Sequence, residues 1–214
     1  MKYTPHEYQQ FCIDYLLDHP AAGLFLKPGM GKTSVALTVA DRLLYDSFEV
    51  SKVLVIAPLR VAEDTWSRES EKWGHLRHLR ISKVLGTAQQ RQAALARSAD
   101  IYCINRENVA WLGKDYGLNW PFDLVIVDEL SSFRNPSSQR FKALRKVRPL
   151  IKHLWGLTGT PRPRSLLDLW AQVYLLDQGE RLGRTFTAYR NQYFTPGRQN
   201  GYVIYEWKPR PGAE

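Results

Sequence analysis

Six short apolar runs punctuate the chain, at residues 22–26, 52–57, 79–85, 100–104, 123–127 and 153–157, each bounded by polar or turn-forming residues. Runs of this length, rich in Val, Ile and Leu and lacking strict polar alternation, describe strands buried on both faces. Between most of them, at 8–18, 32–45, 61–73, 87–97 and 137–147, apolar positions recur at helical spacing. In the second of these segments they fall at Val35, Leu37, Val39, Ala40, Leu43 and Leu44, close to a period of 3.6. Strands alternating with helices predict an α/β fold, a three-layer sandwich whose largely parallel sheet is covered by helices on both faces. Ligands of such sheets gather at the carboxyl ends of the strands.

After Thr160-Pro161 the pattern changes. Leu166-Leu167-Asp168-Leu169-Trp170 and an aromatic stretch through Phe186, Tyr189, Tyr193 and Phe194 read as helices and a surface extension, with residues 178–184 a basic helical surface. Residues 201–208 alternate enough for a strand or hairpin arm, and Lys208-Pro209-Arg210-Pro211-Gly212 reads as a linker. The expected organisation is one lobe over 1–164 and a helical extension with an arm over 165–214.

Composition narrows the class. At 214 residues and 44% hydrophobic content the chain can bury one core with a small appendage. It has no run of about 18 apolar residues and no signal-peptide pattern, so a soluble cytoplasmic protein, with no membrane partner, is expected. Cys12 and Cys103 are too few and too isolated to suggest a zinc site or a disulfide framework. The formal net charge of +9 is unevenly placed: residues 134–214 hold 15 Lys+Arg against 5 Asp+Glu, whereas residues 1–133 hold 15 against 16. A basic segment of this kind suits a polyanion, nucleic acid first, or an acidic protein partner.

Three loops carry the candidate chemistry. Gly23-Leu24-Phe25-Leu26-Lys27-Pro28-Gly29-Met30-Gly31-Lys32-Thr33 runs from an apolar strand through two glycines into a helix. Gly29 and Gly31 can take positive φ and let backbone N–H groups converge on phosphate oxygens, while the new helix adds its positive end. Lys32 would reach the β- and γ-phosphates of a triphosphate, and the Thr33 hydroxyl would ligate Mg²⁺. The full phosphate-loop consensus asks for glycine at position 26, where this chain has Leu26. The second loop, after Phe122-Asp123-Leu124-Val125-Ile126-Val127, delivers Asp128 and Glu129 together, a pair suited to holding Mg²⁺ and to orienting or deprotonating a water. The third, Leu157-Thr158-Gly159-Thr160-Pro161, offers small hydroxyls that could sense a γ-phosphate.

In their order these motifs resemble the first motor lobe of superfamily 2 helicase-like ATPases, the Swi/Snf group of DNA translocases. Tyr8-Gln9 is similar to that family's nucleotide-sensing glutamine motif, Gly29 to Thr33 to motif I, and residues 53–59, with Trp66 and Glu69 beyond, to motif Ia. Asp128-Glu129-Leu130-Ser131 is similar to motif II and residues 157–161 to motif III. The resemblance implies a RecA-like lobe of the P-loop NTPase kind that binds ATP·Mg²⁺. Its nucleotide site would comprise Gln9, Pro28, Gly29, Met30, Gly31, Lys32, Thr33 and Ser34. Thr33 and Asp128 would hold the metal, and Lys32, Asp128 and Glu129 would carry catalysis. Pro58, Leu59, Arg60, Asn105, Arg106, Thr158 and Thr160 would lie along DNA. Ser131 stands where many relatives have histidine, Arg162-Pro163-Arg164 where asparagine is usual, and Lys27-Pro28 where an acidic residue and methionine are common.

Compact motors with these stretches are similar to those of bacteriophages, which implies a bacterial or phage-infected cell. The second-lobe pattern Gln-x-x-Gly-Arg-x-x-Arg is not found in the 214 residues, so a second RecA-like lobe, in cis or in trans, is expected as a partner. Two other functions fit the same residues: a nucleic-acid-binding or adaptor domain that keeps the fold without catalysis, and a strand-separating helicase.

Overall fold

A computed structural model of the chain describes residues 1–161 and 165–213; the departure at Arg162-Pro163-Arg164 lies outside the described residues. Within them, the strands β1 (Ala21–Phe25), β2 (Val53–Ala57), β3 (Ile81–Val84), β4 (Ile101–Asn105), β5 (Leu124–Asp128) and β6 (His153–Thr158) form a sheet in the order β1-β6-β5-β2-β4-β3. Every pairing in it is parallel. The carboxyl ends of all six strands therefore open on one edge, where the three motif loops emerge.

The apolar runs are continuous because each strand serves two cores. Val53, Val55, Leu124, Ile126, Ile101, Cys103 and Trp155 face one, with Val35, Val39 and Leu43 of α2 (Lys32–Tyr45) and Ile13 and Leu16 of α1 (Glu7–Asp18). Leu54, Ile56, Val125, Val127, Tyr102 and Leu154 face the other. There they meet α5 (Val109–Tyr116), which follows α3 (Trp66–Lys72) and α4 (Ala88–Leu95), together with α6 (Gln139–Val147) and α7 (Leu169–Asp177). Helix α5 is not evident from periodicity, being eight residues long with Gly113 inside it. At that glycine α5 packs closely on α6: a Cβ there would lie 3.4 Å from the Ala143 methyl, an ordinary contact.

Three expectations need correction. The helix expected over 61–73 begins as a π-helical turn, Val61–Thr65, before α3. Residues 178–184 form turns, not a helical surface, because the Asp177 carboxylate accepts the backbone N–H groups of Gly179 and Arg181 at 2.9 and 3.0 Å. The expected linker is docked. After α8 (Phe186–Tyr193), β7 (Phe194–Pro196) and the short hairpin β8 (Gln199–Asn200) and β9 (Val203–Ile204), strand β10 (Trp207–Pro209) pairs antiparallel with β7. Arg210 then donates to the carbonyls of Phe194 and Asn191 at 3.3 and 3.1 Å, satisfying groups at the end of α8.

A buried arginine ties α7 to the sheet. Arg148 is 6% exposed and donates to the carbonyls of Leu175, Ile151 and Leu176 at 2.6, 3.1 and 2.9 Å. Two of these belong to the last turn of α7, whose carbonyls have no partner within the helix.

Candidate functional site

The glycine loop leaves β1 and reaches α2 through two left-handed residues. Gly29 has φ 83° and Gly31, the N-cap of α2, has φ 75°. A side chain at Gly31 would collide with the Gln9 amide, whereas around Gly29 the space is open. The loop is thus open around Gly29 at the start of a fourteen-residue helix, a geometry suited to phosphate. The Lys32 ammonium is folded back into it, donating to the carbonyls of Leu26 and Lys27 at 2.7 and 3.2 Å. Ser34 is buried and spends its hydroxyl on the Gly31 carbonyl, 2.9 Å away.

Gln9 braces this loop from α1. Its amide donates to the Met30 carbonyl at 3.3 Å and its oxygen accepts the His6 N–H at 3.0 Å, closing the capping box of α1. The Tyr8 hydroxyl donates to the same carbonyl at 3.3 Å. Gln9, Gly29, Gly31, Lys32, Thr33 and Ser34 line a cleft of about 380 Å³, closed on the far side by Tyr3, His6, Glu69, Lys72 and Trp73. The α3 residues of that wall are not readable from the loop motif. A larger hollow of about 480 Å³, lined by Thr38, Asp41, Arg42 and His75, takes in no part of the glycine loop.

Because β1 pairs with β6 and β6 with β5, the acidic and hydroxyl loops stand next in line. Phe25 registers with Thr158, and Asp128 with Leu157. Asp128 accepts the indole N–H of the fully buried Trp66 at 3.0 Å. Burial pushes its carboxyl above the usual carboxylate range; the neighbouring Glu129 adds to this, while the Trp66 hydrogen bond and the Lys32 charge oppose it. Glu129 occupies the left-handed region, φ 63°, rare for a residue with a side chain. One of its oxygens accepts the hydroxyls of both Ser131 and Thr158, the latter at 2.6 Å, and Thr158 in turn accepts the Thr160 backbone N–H at 3.1 Å.

The second and third motifs are therefore one hydrogen-bonded unit. Ser131 holds the carboxylate. Leu130 is seated over Gly156, where a Cβ would overlap its side chain, and Pro28 packs on Gly159, where a Cβ would lie 3.1 Å from its ring.

The residues expected along DNA are divided by exposure. Leu59 and Arg60, after Pro58, are exposed, and so is Thr160. Thr158 is fully buried and committed to Glu129, and Asn105 is 8% exposed and donates to Glu107 at 3.1 Å. These two side chains face inward. Arg106 is half-exposed and pairs with Glu107 at 2.9 Å.

Gly31→Ala is expected to damage the loop twice, by straining a left-handed backbone and by displacing the Gln9 amide. The strain alone costs about 1–2 kcal/mol. Urea unfolding should show this loss, and calorimetry should show weaker nucleotide binding; unchanged values for both would contradict the brace described above.

A family profile described as the SNF2-related domain matches residues 8–204. Protein p41 of Acyrthosiphon pisum secondary endosymbiont phage 1 is 42% identical over 207 residues, covering 92% of this chain and 45% of p41. The chain thus spans less than half the length of that relative. Among solved structures, the Sulfolobus solfataricus SWI2/SNF2 ATPase core in complex with dsDNA superposes with a TM-score of 0.73 at 22% identity, over 90% of this chain and 39% of that one. The UvsW helicase from bacteriophage T4 superposes with a TM-score of 0.61 at 17% identity, over 79% and 58% respectively. At these identities the two superpositions establish the fold alone, a parallel sheet with helices on both faces.

Proposed function

We propose, from the premise that this chain belongs to the SNF2-related domain family, that it is the ATP-binding first lobe of a DNA-dependent ATPase that moves on duplex DNA when paired with a second lobe. The observation that carries the reading is the Glu129 carboxylate, fixed by Ser131 and Thr158 at the ends of adjacent strands beside the glycine loop. A carboxylate clamped in a strained backbone conformation is prepared for one direction of proton acceptance.

The residues fit ATP and Mg²⁺. The Gly29–Gly31 loop, open around Gly29, can present backbone N–H groups to phosphate oxygens, and Lys32 would exchange two loop carbonyls for the β- and γ-phosphates. Among the described residues no three His, Cys, Asp or Glu side chains are grouped to hold a metal alone. A Mg²⁺ held by Thr33 and Asp128 would complete its shell with phosphate oxygens and water, as that ion commonly does. Bound there, it would neutralise charge on the phosphates. Trp66 would keep one Asp128 oxygen turned inward, and Glu129 would orient the attacking water and take its proton. Thr158, bonded to Glu129, and Thr160, bonded to Thr158, would pass the state of the nucleotide to the loop beyond.

The arginine that such a reaction needs at its transition state would come from the second lobe, in cis or in trans. ATP turnover by this chain, alone and with a second lobe supplied, each with and without duplex DNA, tests the reading. The chain alone is expected to turn over about 10³–10⁵-fold more slowly, with DNA stimulation appearing once both lobes are present. Rapid DNA-stimulated turnover by the isolated chain would overturn the two-lobe assignment, and absence of turnover in the two-lobe protein would favour an adaptor domain.

A further inference from the structure

The arm at the end of the chain holds two tyrosines out in solvent. The pairs β7–β10 and β8–β9 keep one register, Thr195 opposite Lys208 and Asn200 opposite Val203, so residues 194–209 form a single hairpin. Between the two ladders the Gly197 N–H donates to the Glu206 carbonyl at 2.8 Å and the Tyr205 N–H to the Arg198 carbonyl at 2.9 Å. Gly201, at φ 55°, and Tyr202 make the two-residue turn, where a left-handed residue favours glycine. The base of the hairpin is fixed. Trp207 packs against the core that holds α7, with the Arg190 guanidinium 4.2 Å from its ring centre, and Arg210 is bonded to the end of α8.

Side chains alternate along a strand, and opposite residues of an antiparallel pair share a face. Beyond Trp207, one face of the arm therefore presents Arg198 with Tyr205 and then Asn200 with Val203. Tyr205 is 61% exposed, and Tyr202 at the turn is fully exposed. The tyrosines of α8 are used differently: Tyr189 is buried, its ring beside Tyr193 and Phe194 and its hydroxyl donating to the Leu166 carbonyl at 2.8 Å. Next to Tyr205 is a hollow of about 300 Å³ lined by Arg198, Gln199 and Asn200. The surroundings are basic, with 6 Lys+Arg against 2 Asp+Glu over residues 178–210. Glu206, the carboxylate of the arm, stands opposite Gly197 and so on the other face.

We propose that Tyr202 and Tyr205 stack on unpaired bases of a DNA strand, with Arg198 on an adjoining phosphate. The proposal rests on the DNA-dependent reading above and adds to it a preference for unpaired bases. Rings held beside cations are the usual platform for single strands, because every base has a face to stack on and every linkage a charge. An acidic protein would match the cations alone. In a duplex the base faces cover one another, so a side-chain ring reaches one only where a strand is unpaired. A hairpin with a fixed base and its rings at the tip suits such a place, a fork or a frayed end.

The test measures binding of this chain to a duplex with forked, unpaired ends and to a blunt duplex of the same paired sequence. A 2-aminopurine in the unpaired end reports stacking by loss of its emission. Y202A/Y205A, Y202F/Y205F and R198A are compared with the unchanged chain, each checked for folding by circular dichroism melting. Y202A/Y205A should weaken fork binding about 5- to 150-fold for each base released, restore the 2-aminopurine emission and leave blunt-duplex binding unchanged. Y202F/Y205F keeps the rings and should retain fork affinity. R198A should flatten the slope of log fork affinity against log salt by about 0.7; an unchanged slope would overturn the phosphate contact. Equal losses on the two DNAs, or a Y202F/Y205F protein as weak as Y202A/Y205A, would overturn the stacking. Full fork binding by Y202A/Y205A would overturn it as well, leave the DNA reading standing and move the tip to a protein partner. Binding of neither DNA by the unchanged chain at low salt would overturn both.

Discussion

Lys32→Ala is expected to weaken Mg-ATP binding by about a hundredfold while leaving the fold unchanged. The side chain's ammonium now donates to the Leu26 and Lys27 carbonyls at the mouth of the loop, where charge-assisted bonds to phosphate would replace them. About 3 kcal/mol of such bonding corresponds to that loss. Lys32 itself contributes nothing to either core, so urea unfolding should stay within about 0.5 kcal/mol of the unchanged chain. Calorimetry that found equal affinity for the two proteins would remove the loop from the nucleotide site.

Glu129→Gln is expected to bind Mg-ATP normally and to lose about 10²–10⁴-fold in turnover when the second lobe is present, the range of a single general base. The amide oxygen can still accept from Ser131 and Thr158, so the loop geometry survives while the proton acceptor does not. Asp128→Asn should act differently, reducing the Mg²⁺ dependence of binding. Its effect on stability has the opposite sign. Burial raises the Asp128 pKa above its unfolded value, so the folded state binds this proton more tightly, and stability is gained as pH falls through the raised pKa. Above the raised pKa the ionised carboxylate opposes folding. Asp128→Asn should therefore raise the urea midpoint at pH 7, a trade of stability for function. If Glu129→Gln hydrolyses ATP at the unmutated rate, the role given to that carboxylate is wrong.

The parallel sheet was legible because burial on both faces writes itself as unbroken apolar runs, and the site loops were legible because they follow three of those runs directly. What periodicity could not give was anything decided by partners remote in sequence. The Trp66 indole reaches Asp128 across 62 positions, and Thr158 reaches Glu129 across 29; a motif marks such residues without saying what they touch. Helix α5 escapes periodicity because its length and central glycine weaken the local signal, while its packing on Ala143 of α6 is tertiary. The C-terminal Lys-Pro-Arg-Pro-Gly segment reads as a linker from composition alone. Its docking depends on Arg210 finding the carbonyls left over at the end of α8.

The place of β1 in the sheet bears on how the protein is made. Within the sheet β1 pairs with β6 alone, Ala21 against Leu154 and Phe25 against Thr158. The glycine loop leaves the ribosome well before β6 does, and the strand that anchors it has no sheet neighbour until β6 has been synthesised. Contacts this distant in sequence form late and slowly. A nascent chain stopped before β6 would carry every residue of the glycine loop and the acidic pair, yet lack the strand that joins them. Nucleotide binding would then serve as a reporter that translation has passed residue 158.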